Sequence, residues 1–139
     1  MDVTLAVLAD FANSSADGKL NILGIFDTVY AEQYPAAHPE MKLVVRFRIH
    51  PAEIGQKKHI EIQLRTDQGQ RVFRFAVELD LVEPREDQRL PAGEMITTDS
   101  ILGINGLRIE AAGTYEFVIL VNGDVKVSVP LKAVLRARG

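Results

Sequence analysis

A chain of 139 residues, 47% of them hydrophobic, fits one ordinary domain and can bury a core without metal or disulfide staples. It contains no cysteine, which excludes disulfides, thiol nucleophiles and cysteine-ligated zinc. Its net charge of −3 is unevenly spread, with one lysine against six acids in residues 1–40, eight basic side chains against three acids in 41–74, and seven against ten in 75–139.

In chain order, residues 3–11 are mostly apolar but are cut by Asp10 and lack a basic flank, so they read as an opening strand and not as a secretory signal. No apolar run approaches the roughly 18 residues of a membrane helix, and the expectation is a cytoplasmic protein without membrane contact. The polar residues 13–18 lead to a second strand over 19–30. Residues 30–41, with Pro35 and Pro39, read as a stiff loop. A strict period of two follows. Leu43, Val45, Phe47 and Ile49 alternate with Lys42, Arg46 and Arg48; Ile60, Ile62 and Leu64 alternate with Glu61, Gln63 and Arg65. Phe73, Phe75, Val77, Leu79 and Leu81 alternate with Arg74, Glu78 and Asp80. Strands of an antiparallel sheet with one wet face have this pattern.

The joints agree. Asp67-Gln68-Gly69-Gln70 reads as a tight hairpin, and Asn122-Gly123 as a type I′ turn between two late strands. Residues 83–96 form the longest irregular stretch, a crossover between sheets or one short helical turn. Pro130 implies an edge or a bulge in the last strand. The expected fold is all-β: a single domain over residues 1–139, built as an antiparallel β-sandwich of immunoglobulin-like or jelly-roll topology with eight or nine strands.

Three stretches carry a resemblance. They are Leu8-Ala9-Asp10-Phe11 with Gly18-Lys19-Leu20-Asn21-Ile22-Leu23-Gly24-Ile25-Phe26-Asp27; Tyr34-Pro35-Ala36-Ala37-His38-Pro39; and Asn105-Gly106-Leu107-Arg108-Ile109 leading to Gly113-Thr114-Tyr115-Glu116-Phe117. Together they resemble a bacterial family known only as a domain of unknown function, over nearly the whole chain. The resemblance implies a small β-rich protein and carries no activity or site residue with it. The last stretch is also similar to the closing hairpin of many immunoglobulin-like sandwiches, which bears on architecture and not on function.

Five groups of residues are candidates for function. Tyr34 and His38 sit on the proline-stiffened loop, either as a contact surface for a protein partner or as part of a crossover whose Tyr34 caps the core. His38, His50 and His59 have no paired ligand spacing and read as exposed loop residues, with no metal or other cofactor expected. Arg46, Arg48, Arg65 and Arg74, with Arg71 nearby, would gather on one face if their strands formed a meander, offering an anion patch. Glu61, Glu78 and Asp80 share that face by parity, so cross-strand ion pairs are favoured and nucleic acid is disfavoured. Ser14, Ser15, Ser100 and Ser128 occupy no nucleophile elbow, and Gly103-Ile104-Asn105-Gly106 lacks the lysine and helix of a phosphate cradle.

The fifth group is apolar. Tyr115 to Val121 is apolar on both parities after Glu116, and so is the run from Leu20 to Phe26. One face of each strand in a two-layer sandwich meets water, so Val118 and Leu120, or Leu23 and Ile25, need cover from a loop or from a second copy. The expectation is a non-catalytic binding or assembly module acting as a homo-oligomer through self-association and loop contacts. The alternative is a small-molecule-binding domain or enzyme with its site at one end of the sandwich, near Tyr34, His38 or His59. An anion binder using the arginines is the third reading.

Overall fold

The computed structural model describes residues 1–84, 86, 91 and 93–137. Among them the chain forms nine strands: β1 Asp2–Ser14, β2 Leu20–Phe26, β3 Thr28–Ala31, β4 Ala36–Ile49, β5 Lys57–Thr66, β6 Arg71–Asp80, β7 Ile96–Ile109, β8 Gly113–Val121 and β9 Asp124–Leu135. The strands make two packed sheets, the first in the order β2-β1-β4-β7 and the second in the order β3-β9-β8-β5-β6. No helix among the described residues is long and apolar enough to cross a membrane.

Local chemistry explains most of the strand ends. Asn122 (φ 50°) and Gly123 (φ 84°) make the positive-φ pair that a type I′ turn between β8 and β9 requires. The β5–β6 hairpin closes through Thr66, whose N–H donates to the Gln70 carbonyl and whose carbonyl accepts from Gly69. Pro130 lies where β9 has β8 on one side only, because β3 pairs with β9 from Lys132 onward. A missing N–H costs nothing on an open side. Pro39 is placed the same way, within β4 but before Lys42, where β1 begins to pair.

Four expectations need correcting. The strand expected over 19–30 is broken at Asp27, where the chain leaves the first sheet and enters the second; the Asp27 carbonyl accepts from the Lys132 N–H at 2.7 Å. This puts β3 parallel to β9, so the sheets are not wholly antiparallel. The loop expected over 30–41 shrinks to the four residues between β3 and β4. The meander that would have joined β4 to β5 does not form, because a short 3₁₀ turn, Pro51–Glu53, carries the chain from one sheet to the other. Gly103 and Gly106 lie inside β7. The irregular stretch expected over 83–96 falls in part on residues 85, 87–90 and 92, which lie outside the described residues.

The core lies between the sheets. Leu8, Met41, Leu43, Val45 and Phe47 from the first meet Ile62, Leu64, Phe117, Ile119 and Leu131 from the second. Phe117 is fully buried and takes the ring of Phe73 edge-on at 6.5 Å. Each such side chain contributes roughly 1.5–3 kcal/mol by leaving water, and together they set which parity of every strand faces inward.

Candidate functional site

With Leu8, Leu43 and Val45 turned to the core, the alternate residues of the first sheet face outward. Register then builds a continuous apolar belt across four strands. Phe11 stands opposite Leu23, Ala9 opposite Ile25, and Val7 opposite Val44, which in turn stands opposite Ile101. The middle of the belt is closed: Ala9 and Val44 have no exposed surface. Its β2 end is open, with Phe11 50%, Leu23 69% and Ile25 63% exposed. Polar pairs border it. Arg46 donates to Asp99 at 2.7 and 3.0 Å, Lys42 meets Glu40 at 2.9 Å, and the Asn21 amide donates to Asn13 at 3.0 Å. The bond to Asp99 raises the Arg46 pKa further, so that charge is permanent. An exposed apolar patch with a polar border has the make-up of a protein contact surface.

Gly24 shapes the open end. Its φ of +74° is a conformation side chains disfavour, and a Cβ there would lie 2.6 Å from the Asp10 carboxylate oxygen. The Asp10 side chain therefore closes against the β2 backbone between Leu23 and Ile25.

The second sheet treats its doubly apolar strand differently. Val118 stands between Gln63 and Ser128, and Leu120 between Glu61 and Val125. Both are nearly sealed, at 1% and 8% exposure. Their neighbours form a polar ladder: Arg65 donates to Gln63 at 2.9 Å, Gln63 donates to Glu61, and Arg74 donates to Glu61 at 2.5 Å. The Gln63 bond, against some desolvation and helped by Arg74, keeps the Glu61 carboxyl below its ordinary range. Val118 and Leu120 thus find cover within their own sheet, whereas Leu23 and Ile25 do not.

The other sequence candidates are dispersed. Tyr34 follows β3 and packs on the core, its hydroxyl donating to the Val134 carbonyl at 3.0 Å; burial, with Tyr115 nearby, pushes its phenol pKa up. His38 belongs to β4 and lies 6.0 Å from the Phe26 ring. His50 caps the 3₁₀ turn, its Nδ1 accepting from the Ala52 N–H at 3.0 Å, and His59 within β5 meets Glu78 at 2.5 Å. The histidines are therefore not all exposed loop residues as expected: two are half-buried strand residues. Arg46 and Arg48 lie on the outer face of the first sheet, Arg65 and Arg74 on that of the second, so the four do not form one patch. No group of three or more metal-ligating side chains occurs among the described residues. Of the clefts, one of about 310 Å³ between β2 and β9 is lined by Phe26, Asp27, Val129 and Pro130. Another of about 300 Å³ lies beside Arg65, Thr66 and Tyr115.

Phe11, Val7, Val44 and Ile101 belong to the belt and were not singled out from the sequence. The signal was available: β1 is apolar on both parities from Leu5 to Ala9, as β2 and β8 are.

The sequence model of one family, described as a family of unknown function (DUF6941), matches residues 4–134. No curated protein matches the chain.

Proposed function

The chain belongs to DUF6941, a family of unknown function, and from its geometry we propose that it is a non-catalytic assembly module whose belt on the first sheet packs against the same belt of a second copy. The observation that carries this reading is the open end of the belt, where Phe11, Leu23 and Ile25 each keep half or more of their surface in water. Burying a side chain of this kind is worth roughly 1.5–3 kcal/mol, and a two-fold contact counts every residue twice. A second copy fits because sheet faces pack on one another about 10 Å apart and this face is apolar and bordered by already paired charges.

The same reading takes residues 1–139 as one domain of immunoglobulin-like topology. The order β9-β8-β5-β6 with β3 parallel to β9 supports it over an all-antiparallel jelly roll. So does Tyr115, whose hydroxyl donates back to the Ala111 carbonyl at 2.7 Å in the manner of a tyrosine corner.

Absolute mass by light scattering over a concentration series tests the proposal. The wild type should rise above the 15.4 kDa of one chain, and the double variant Leu23→Asp/Ile25→Asp should shift that rise to higher concentration. An unchanged mass profile in the variant would remove the belt as an interface.

A further inference from the structure

Sheet ends expose unpaired backbone, and proteins usually guard them. Three of the four ends here are guarded. β3 has only four residues; β2 has seven and bends at Gly24; β7 carries Gly106 at φ +66° and turns Thr98 and Ser100 toward the core side. β6 lacks these three devices; a register irregularity leaves its Val72 without a β5 partner, and the strand runs regularly from Phe73 to Asp80. It is ten residues long, has no proline or glycine, and no strand lies on its far side among the described residues. Phe73, Phe75, Val77 and Leu79 alternate on its core side with Arg74, Ala76, Glu78 and Asp80 on its outer side. Phe73 and Leu79 pack on the core, but Phe75 and Val77 remain 39% and 45% exposed at the rim.

We propose that β6 pairs antiparallel with β6 of a second copy about a two-fold axis through Ala76. An axis perpendicular to the sheet keeps each face on its own side, so core-side residues meet core-side residues. Arg74 then stands opposite the partner's Glu78, and Glu78 opposite the partner's Arg74, giving two opposite-charge pairs on the outer face. On the core side Phe75 meets the partner's Val77 and Phe73 meets the partner's Leu79, covering the exposed rim. An axis one residue earlier, through Phe75, sets Arg74 against the partner's Ala76 and opposes no charges. An axis through Val77 sets Arg74 against the partner's Asp80, but its ladder begins only at Arg74 instead of at Val72. Arg74 and Glu78 are also anchored within the chain, to Glu61 and His59 at 2.5 Å each, which holds both charges along the outer face. The pairing is independent of the belt. Both first sheets fall on the same side of the joined second sheet, so such a dimer would display two belts together.

The absence of cysteine makes the axis directly testable. Ala76→Cys puts one thiol on the axis, where directly opposed Cβ atoms lie roughly 4.5–5.5 Å apart, close to disulfide reach. Val72→Cys, at a more exposed position than Ala76, would face the partner's Asp80 and serves as the control. Under mild oxidation Ala76→Cys should form a disulfide-linked dimer at concentrations where Val72→Cys stays free of cross-links; equal behaviour of the two overturns the axis. In the Ala76→Cys background Arg74→Glu should weaken dimer capture roughly tenfold, and adding Glu78→Arg should restore it. Restoration cannot come from the Glu61 contact, which the second substitution does not repair, so its failure counts against the register. The cross-link should persist with Leu23→Asp/Ile25→Asp present, whatever those changes do to the mass profile; its loss there would overturn β6 as an independent interface.

Discussion

At the scale of single residues, the strongest electrostatic device is Glu53 at the crossover between sheets. Its carboxylate accepts from the Met1 ammonium at 2.8 Å through both oxygens, from the His50 N–H at 3.0 Å, and pairs with Lys58 at 2.8 Å. Burial opposes its ionisation, but Lys58, the ammonium and the His50 N–H outweigh burial and hold its pKa at about 2. A carboxylate whose folded pKa lies below its ordinary 4.5 stabilises the fold above that value, and the contribution is lost as pH falls from about 4.5 toward 2. Thermal unfolding of the wild type should therefore weaken through this window, and Glu53→Gln should flatten the dependence while costing about 3 kcal/mol at neutral pH. A variant with the wild-type acid profile would show that other carboxylates govern it. Tyr115→Phe removes only the bond to Ala111, and urea unfolding should register a loss of about 1 kcal/mol. Neither role was legible beforehand. Glu53 and Lys58 are ordinary surface residue types, and only the fold brings them to one corner.

Among the strands, alternation located β4, β5 and β6, and the turn dipeptides located both hairpins, because side-chain direction and positive φ are local properties. The break at Asp27 left no such mark. Residues on either side of it are equally apolar, and the change of sheet is decided by β3 finding β9 more than a hundred positions away. Gly24 is similar: in the sequence it is one glycine in an apolar run, and in the fold it is a bend with a carboxylate against it. Gly24→Ala should destabilise by more than about 1 kcal/mol, since both φ and space oppose it. Adding Asp10→Ala should recover the part due to the 2.6 Å approach and leave the part due to φ. Full recovery, read from urea midpoints, would mean that the backbone bend costs nothing.

For the molecule as a whole, the doubly apolar runs divide into two kinds. Val118 lies on a central strand with neighbours on both sides, whereas Leu23 lies on an edge with β1 on one side only. Val118→Asp should therefore unfold the chain or cost several kcal/mol, as an unpaired buried charge does. Leu23→Asp should leave the melting temperature of the dilute protein nearly unchanged, because exposed substitutions stay within about 0.5 kcal/mol. Equal losses at the two sites would mean that the belt is covered within one chain.

The all-β class, the positions of most strands, the tight turns and the presence of more apolar surface than one buried face requires are legible in the amino-acid order. All of these follow from period, composition and turn chemistry within a few residues. Folding sets which sheet each strand joins, parts the arginines to opposite faces, and leaves Leu23 and Ile25 open while Val118 and Leu120 close. Those outcomes depend on which strands lie alongside, and strand neighbours are chosen by long-range packing that no local pattern records.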